Sequence, residues 1–127
     1  MFETLDPRSP TPLYEQIAAR VRLAIASGEL EPGDALPSVR ALARQLRVNP
    51  ATVVQAYRDL AIDDFVEIRH GQGTFVMEVP NPLREEERRE QAALMIRDLL
   101  QEGARRGLSL NDLAEAFYAE TGAMLSE

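Results

Sequence analysis

Asn49-Pro50 marks a helix start, and it stands only eleven residues after another, Pro37-Ser38. Asparagine accepts from the free N–H groups of a first helical turn, proline is already set for the next position, and serine caps as asparagine does. Two starts this close leave room for one short helix and a connection of only Arg47–Val48. Val39, Leu42, Ala43 and Leu46 repeat on one face of that helix, and Arg40, Arg44 and Arg47 share the opposite face. The helix after Pro50 places Val53, Ala56, Tyr57 and Leu60 inward. The spacing is that of a helix-turn-helix.

Upstream, Pro10-Thr11-Pro12 predicts a longer helix with Thr11 as N-cap and an apolar stripe of Leu13, Ile17, Val21 and Ile25. Gly28 suits its left-handed end, and Glu31-Pro32-Gly33-Asp34 has the pattern of a type II turn. A short edge strand at Ala35–Leu36 fits before Pro37. Downstream, Phe65–Arg69 and Thr74–Val79 read as strands around a four-residue loop, His70 to Gly73. Three helices followed by a hairpin predict a mainly α fold with a small β-hairpin: a winged helix-turn-helix over residues 11–79, preceded by an N-terminal arm over 1–10.

Val79-Pro80-Asn81-Pro82 breaks any regular element and marks a boundary. Residues 80–127 are too few to bury a core of their own. A helix is expected from Asn81-Pro82 to about Arg105, polar at first and laced with Glu85/Arg89 and Glu86/Arg89 pairs. Its later turns carry an apolar stripe of Ala92, Met95, Ile96, Leu99 and Leu100, and Gly103 and Gly107 punctuate its end. Ser109 with Asp112 forms a capping box for a last helix, with Leu110, Leu113 and Phe117 on one face. Two stripes with nothing local to cover them predict a homodimer; a hairpin folded back on the winged domain is the alternative.

The net charge of −7 argues against nucleic acid as a partner, but its distribution reverses the argument. Leu36–Arg58 holds Arg40, Arg44, Arg47 and Arg58 and no acidic residue, so the remainder carries −11. A basic island on an acidic chain can bind phosphate while the rest discourages non-specific contact. The bland alternative is four arginines that solvate a surface or pair with Asp59, Asp63 or Asp64. All 14 basic residues are arginine, there is no cysteine, and there is one histidine. Schiff-base lysine chemistry, thiolate metal sites and multi-histidine metal sites are excluded, and no catalytic constellation or cofactor site is apparent. The longest apolar run, Ala92–Ile96, is far too short for a bilayer, and the first ten residues lack the apolar stretch of a signal peptide.

The blocks Pro12–Ile17, Gly28–Asp34, Leu36–Ala43, Val48–Val53, Ala56–Leu60 and Arg69–Val76, in this order, resemble the GntR family of bacterial transcription regulators. One departure is Asp64, which stands where the family has glycine before the first wing strand. The resemblance implies a third helix in the major groove of double-stranded DNA. Thr52 can meet a phosphate or a thymine methyl, and Gln55 can pair with adenine. Ser38, Asn49, Pro50 and Ala51 lie at the two helix starts, where free N–H groups suit a phosphate oxygen. Arg40 matches the arginine the family uses at the DNA interface, and Arg44 and Arg58 suit phosphate clamps. Arg69 and His70 approach the minor groove from the wing, with Gly71 and Gly73 permitting close backbone approach. Arg47 stands evenly between a phosphate contact and a solvated surface.

A short two-helix tail resembles the YtrA-type subfamily of small dimeric regulators; the length and the single histidine point away from the subtypes with large effector or aminotransferase domains. The expectation is a cytoplasmic, homodimeric repressor of a palindromic operator, with no membrane contact. A helix-turn-helix that binds protein instead of DNA is the alternative. A small-molecule effector, if one acts, has the joint Val79–Gln91 or the dimer interface to bind; otherwise the joint is a plain spacer.

Overall fold

The computed structural model describes residues 5–125, with side chains described to Gly122. The elements are α1 (Leu13–Ala26), α2 (Val39–Leu46), α3 (Pro50–Ile62), β1 (Val66–Arg69), β2 (Gly73–Val76), α4 (Asn81–Arg105) and α5 (Leu110–Leu125). The chain divides into two compact units, Met1–Arg89 and Glu90–Glu127. The first four residues of the expected N-terminal arm and the last two of the tail lie outside the described residues.

In the first unit α1, α2 and α3 enclose one core. Ile17, Val21, Leu42, Val53, Leu60 and Val66 are its largest fully buried side chains. Tyr57 is buried among them, and its hydroxyl donates to the Pro37 carbonyl at 2.7 Å, tying α3 to the entry of α2. Burial pushes the Tyr57 phenol well above its usual range.

Helix α1 begins one residue later than its sequence suggests. Pro12, not Thr11, is the N-cap, and no side chain caps this end. The Pro12 carbonyl receives the N–H groups of Glu15 and Gln16, both at 3.1 Å. Gln16 does the fastening instead. Its Nε2 donates to the Asp6 and Thr11 carbonyls, and its Oε1 accepts from the Asp6 N–H, each at 2.8 Å. Glu31–Asp34 closes as a turn with Gly33 at φ +91°, the sign a type II turn requires.

The strands pair antiparallel, from Val66↔Val76 to Arg69↔Gly73, so the connecting loop is three residues, one shorter than expected. Ala35 bridges to Phe75, and the Leu36 N–H reaches the Thr74 carbonyl at 2.8 Å, so the expected short edge strand is reduced to a single bridge beside a two-stranded sheet.

Helix α3 ends with the Phe65 N–H on the Leu60 carbonyl (2.9 Å) and the Asp64 N–H on the Ala61 carbonyl (3.1 Å). This double closure needs a left-handed residue between them, and Asp64 has φ +61°. The backbone therefore keeps the conformation in which glycine is free of strain, although the residue is aspartate. Asp64→Gly is expected to stabilise the chain by about 0.5–1 kcal/mol, and Asp64→Val to destabilise it. The thermal midpoints of the two variants check this; a lower midpoint for Asp64→Gly contradicts it.

The start of α4 belongs to the first unit and is fastened there. Val79 is buried, and the Arg88 guanidinium donates to the Ala26 carbonyl at 2.5 Å. Ala26 ends α1, where carbonyls lack helical partners and the helix dipole is negative, so a cation is well placed. The expected Glu85/Arg89 and Glu86/Arg89 pairs are not among the ion pairs of the described residues. On α4 it is Glu102 that carries them, to Arg105 and Arg106, and both hold its carboxyl below the usual range.

In the second unit Gly103 is buried inside α4 and does not end it. A Cβ there would lie 2.6 Å from Leu113 Cδ1, so glycine lets Leu113 of α5 seat against α4. Termination falls to Gly107 at φ +80°, with the Leu108 N–H on the Gly103 carbonyl at 2.9 Å. The Ser109/Asp112 capping box forms in both directions, at 2.8 and 3.0 Å, and holds the Asp112 carboxyl below its usual range. Leu113 is thus engaged within the chain. Met95, Ile96, Leu99, Leu100, Leu110 and Phe117 remain exposed.

Candidate nucleic-acid interface

Both helix starts that flank the turn are capped as their sequences require. The Ser38 side chain accepts from the Ala41 N–H at 3.1 Å, and Asn49 accepts from the Ala51 N–H at 2.9 Å. Pro50 occupies the first turn of α3. Each cap satisfies one N–H of its first turn and leaves others directed outward from an exposed end.

Between the helices, Arg47 has φ +57° and ψ +46°. The Val48 N–H on the Ala43 carbonyl (3.0 Å) and the Arg47 N–H on the Arg44 carbonyl (3.4 Å) form the same closure as at Asp64. The turn that aims α3 thus uses a left-handed arginine where glycine is free of strain. Its exposed side chain extends from a backbone position set by the turn.

Arg40 and Arg44 are exposed on the outer face of α2, and Arg58 is exposed on α3. Among the described residues none of these three, nor Arg47, has a carboxylate within ion-pair distance. Two of the three acids that could have neutralised them are engaged elsewhere. Asp63 is held by Arg22 of α1 at 2.6 Å, and Asp59 accepts from Gln55 Nε2 at 2.9 Å. The Arg22 guanidinium also lies 5.7 Å from the centre of the Phe65 ring, which keeps the Asp63 contact beside the core.

Gln55 is exposed and Thr52 half-buried on the outer flank of α3. The hydrogen bond to Asp59 orients the Gln55 amide with its oxygen free. Bidentate pairing with adenine uses the amide oxygen and one of the two Nε2 hydrogens, so Asp59 can hold the other hydrogen while Gln55 reads that base. Asp59 thus bonds Gln55, four residues before it on α3, and not one of the island's arginines.

On the wing, Arg69, His70, Gly71 and Gly73 are exposed, with Gly71 at φ +74° and Gly73 at φ +128°. Arg69 is not loose. Its guanidinium carbon lies 4.5 Å from the Phe75 ring centre, and one of its nitrogens is 3.3 Å from Glu67 Oε2. Neither partner was evident from residue order alone.

Among the described residues no helix is long and apolar enough to cross a membrane, and no cluster of three potential metal ligands occurs. A sequence model of "Bacterial regulatory proteins, gntR family" matches residues 13–76, half of the chain. The HTH-type transcriptional repressor YtrA of Bacillus subtilis is 45% identical over 74 residues, which cover 58% of this chain and 57% of YtrA. The chain thus spans a little over half the length of that curated relative. Among solved structures, YtrA from Sulfolobus acidocaldarius, a GntR-family transcription factor, is similar with a TM-score of 0.57 and 41% identity, over 70% of this chain and 96% of that one. AraR(DBD) in complex with operator ORX1 is similar with a TM-score of 0.52 and 28% identity, over 57% of this chain and 90% of that one.

Proposed function

The chain belongs to the gntR family of bacterial regulatory proteins, and from that premise we propose that it represses transcription by binding a palindromic DNA operator as a homodimer. Residues 11–79 bind DNA, and residues 80–127, a tail of the YtrA type, join the two copies. The protein acts in the cytoplasm, where bacterial DNA is. One observation carries the reading: Arg40, Arg44, Arg47 and Arg58 lie exposed and without carboxylate partners in a segment free of acids, on a chain of net charge −7. Arg22, Arg105 and Arg106 pair with the protein's own acids, whereas these four face outward from α2, the turn and α3.

The roles divide by position. Thr52 and Gln55, on the first turns of α3, face base edges, and Arg40 reaches a base from α2. Arg44 and Arg58 hold phosphates, as do the free N–H groups near Ser38, Asn49, Pro50 and Ala51. Arg69 and His70 enter the minor groove, and Gly71 and Gly73 let the loop backbone approach it. Ala92, Met95, Ile96, Leu99, Leu100, Leu110 and Phe117 meet the second copy, and Leu113 supports them from within. A small-molecule effector acts, if at all, through the joint Val79–Gln91. The hydrogen bond from Arg88 to the end of α1 supports a transmitting joint over a plain spacer.

Selection of bound DNA from a random library, followed by anisotropy titrations at rising salt, tests the reading. Each phosphate neutralised contributes about 0.9 to the slope of log affinity against log salt, so Arg44 and Arg58 in two copies predict a slope of about −3.6. Selected sequences should show two inverted half-sites. A slope near zero, or no enriched sequence, leaves a protein-binding helix-turn-helix as the function.

A further inference from the structure

The two strands of the wing sort their side chains cleanly. Val66, Thr74 and Val76 are buried on the core side. Glu67 and Phe75 are direct cross-strand partners on the other side, and the pair Arg69↔Gly73 follows one step nearer the tip on that side. Because Gly73 has no side chain, the space opposite Arg69 is open. The half-buried Phe75 ring fills it: a Cβ built on Gly73 would be 3.7 Å from the ring edge. Arg69 lies across that ring with its guanidinium carbon 4.5 Å from the centre, and Glu67 takes one nitrogen at 3.3 Å.

A surface arginine ordinarily samples many rotamers, and binding must then order it, at a cost in affinity. Here one face of the guanidinium is covered and one end is held. The remaining N–H donors are left facing outward at the tip of the wing. We propose that Phe75 is a positioning residue for DNA recognition: its ring holds Arg69 in the orientation that meets acceptor oxygens at the minor-groove flank of the operator. The stack persists in the complex, whereas the Glu67 carboxylate is exchanged for the DNA acceptor. Gly73 is set by its backbone, at φ +128°, and the Phe75 ring edge lies in ordinary contact with the position a Cβ would take there. The inference rests on the DNA-binding reading above and deepens it at the wing.

A double-substitution cycle on the full-length chain tests it, with affinity for the selected operator read by anisotropy and thermal midpoints as the folding control. Phe75→Leu keeps an apolar side chain but removes the ring face. It should weaken operator binding about fivefold when Arg69 is present, the scale of an exposed cation–π contact. In an Arg69→Ala background the same change should alter affinity by less than about 1.5-fold, because the partner is gone. Phe75→Tyr retains the stack and should bind like the parent. Equal losses from Phe75→Leu in both backgrounds overturn the proposal, as does an Arg69→Ala variant that binds as the parent does. A Phe75→Tyr variant as weak as Phe75→Leu overturns it too. If the parent protein binds no DNA, the functional reading fails and takes this with it. If the parent binds and the losses simply add, only the role of Phe75 fails.

Discussion

Leu99→Glu should convert the full-length protein from a dimer to a monomer and weaken operator binding by about 10²–10⁴-fold. Leu99 is 51% exposed in the single chain, on the same stripe of α4 as Met95 and Ile96. A glutamate at so exposed a position removes little from the fold of the chain itself. In a dimer it would place two carboxylates within an apolar interface, at a cost no packing can offset. The effect on DNA follows from linkage. A dimer that has bound one half-site presents its second reading head at a high effective concentration, and a monomer loses that gain without losing any contact. Three measurements on one variant separate the steps. Sedimentation velocity should give the mass of one chain. The thermal midpoint should lose its dependence on protein concentration and match the parent's at high dilution, where the parent is also monomeric. Binding to an isolated half-site should be unchanged while binding to the full operator collapses. A Leu99→Glu protein that still sediments as a dimer shows that this stripe is not the interface.

The helix boundaries that were legible in sequence are those with a chemical reason at a single residue. Ser38 and Asn49 cap because a side-chain oxygen one residue before a helix has one good partner. Thr11 misled by the same rule: Pro12 sits between it and α1, and the long side chain of Gln16 serves this end from inside the helix. Glycine is a poor helix former, so Gly103 reads in sequence as part of the helix end, together with Gly107. The reason for Gly103 lies ten residues away in Leu113, and a contact between helices leaves no local trace. Arg47 and Asp64 are the converse case. Both occupy left-handed positions that glycine would signal, and a non-glycine residue there hides the turn geometry while the backbone retains it. At the interface, sequence separated the arginines from the core by helical period. It could not say which were already paired. The partners of Arg22, Arg69 and Arg88 come from the C-cap of α3, the neighbouring strand and the end of α1, distances that only the folded chain sets.

Arg40 is where pairing and function should separate most sharply. It lies on the outer face of α2, exposed, with no carboxylate within ion-pair distance among the described residues. Nothing in the fold depends on its guanidinium, so Arg40→Ala should leave the thermal midpoint unchanged. A bidentate arginine–guanine contact discriminates by about 1–3 kcal/mol per protomer, about 5- to 150-fold at each half-site. With both half-sites affected, operator affinity should fall by about the square of that factor, with the base preference relaxed at one position in each half-site. Affinity for random DNA should fall much less, by the loss of one charge. Arg44→Ala is the comparison, because a phosphate clamp contributes equally to all sequences. It should weaken operator and random DNA by the same factor and make the salt dependence shallower by about 0.9 for each phosphate lost. Arg47 is a poorer control, since its substitution also acts on a left-handed turn that glycine would relax and alanine would not. If Arg40→Ala and Arg44→Ala lower operator and random binding in the same ratio, Arg40 contacts the backbone, and base reading belongs to Thr52 and Gln55 alone.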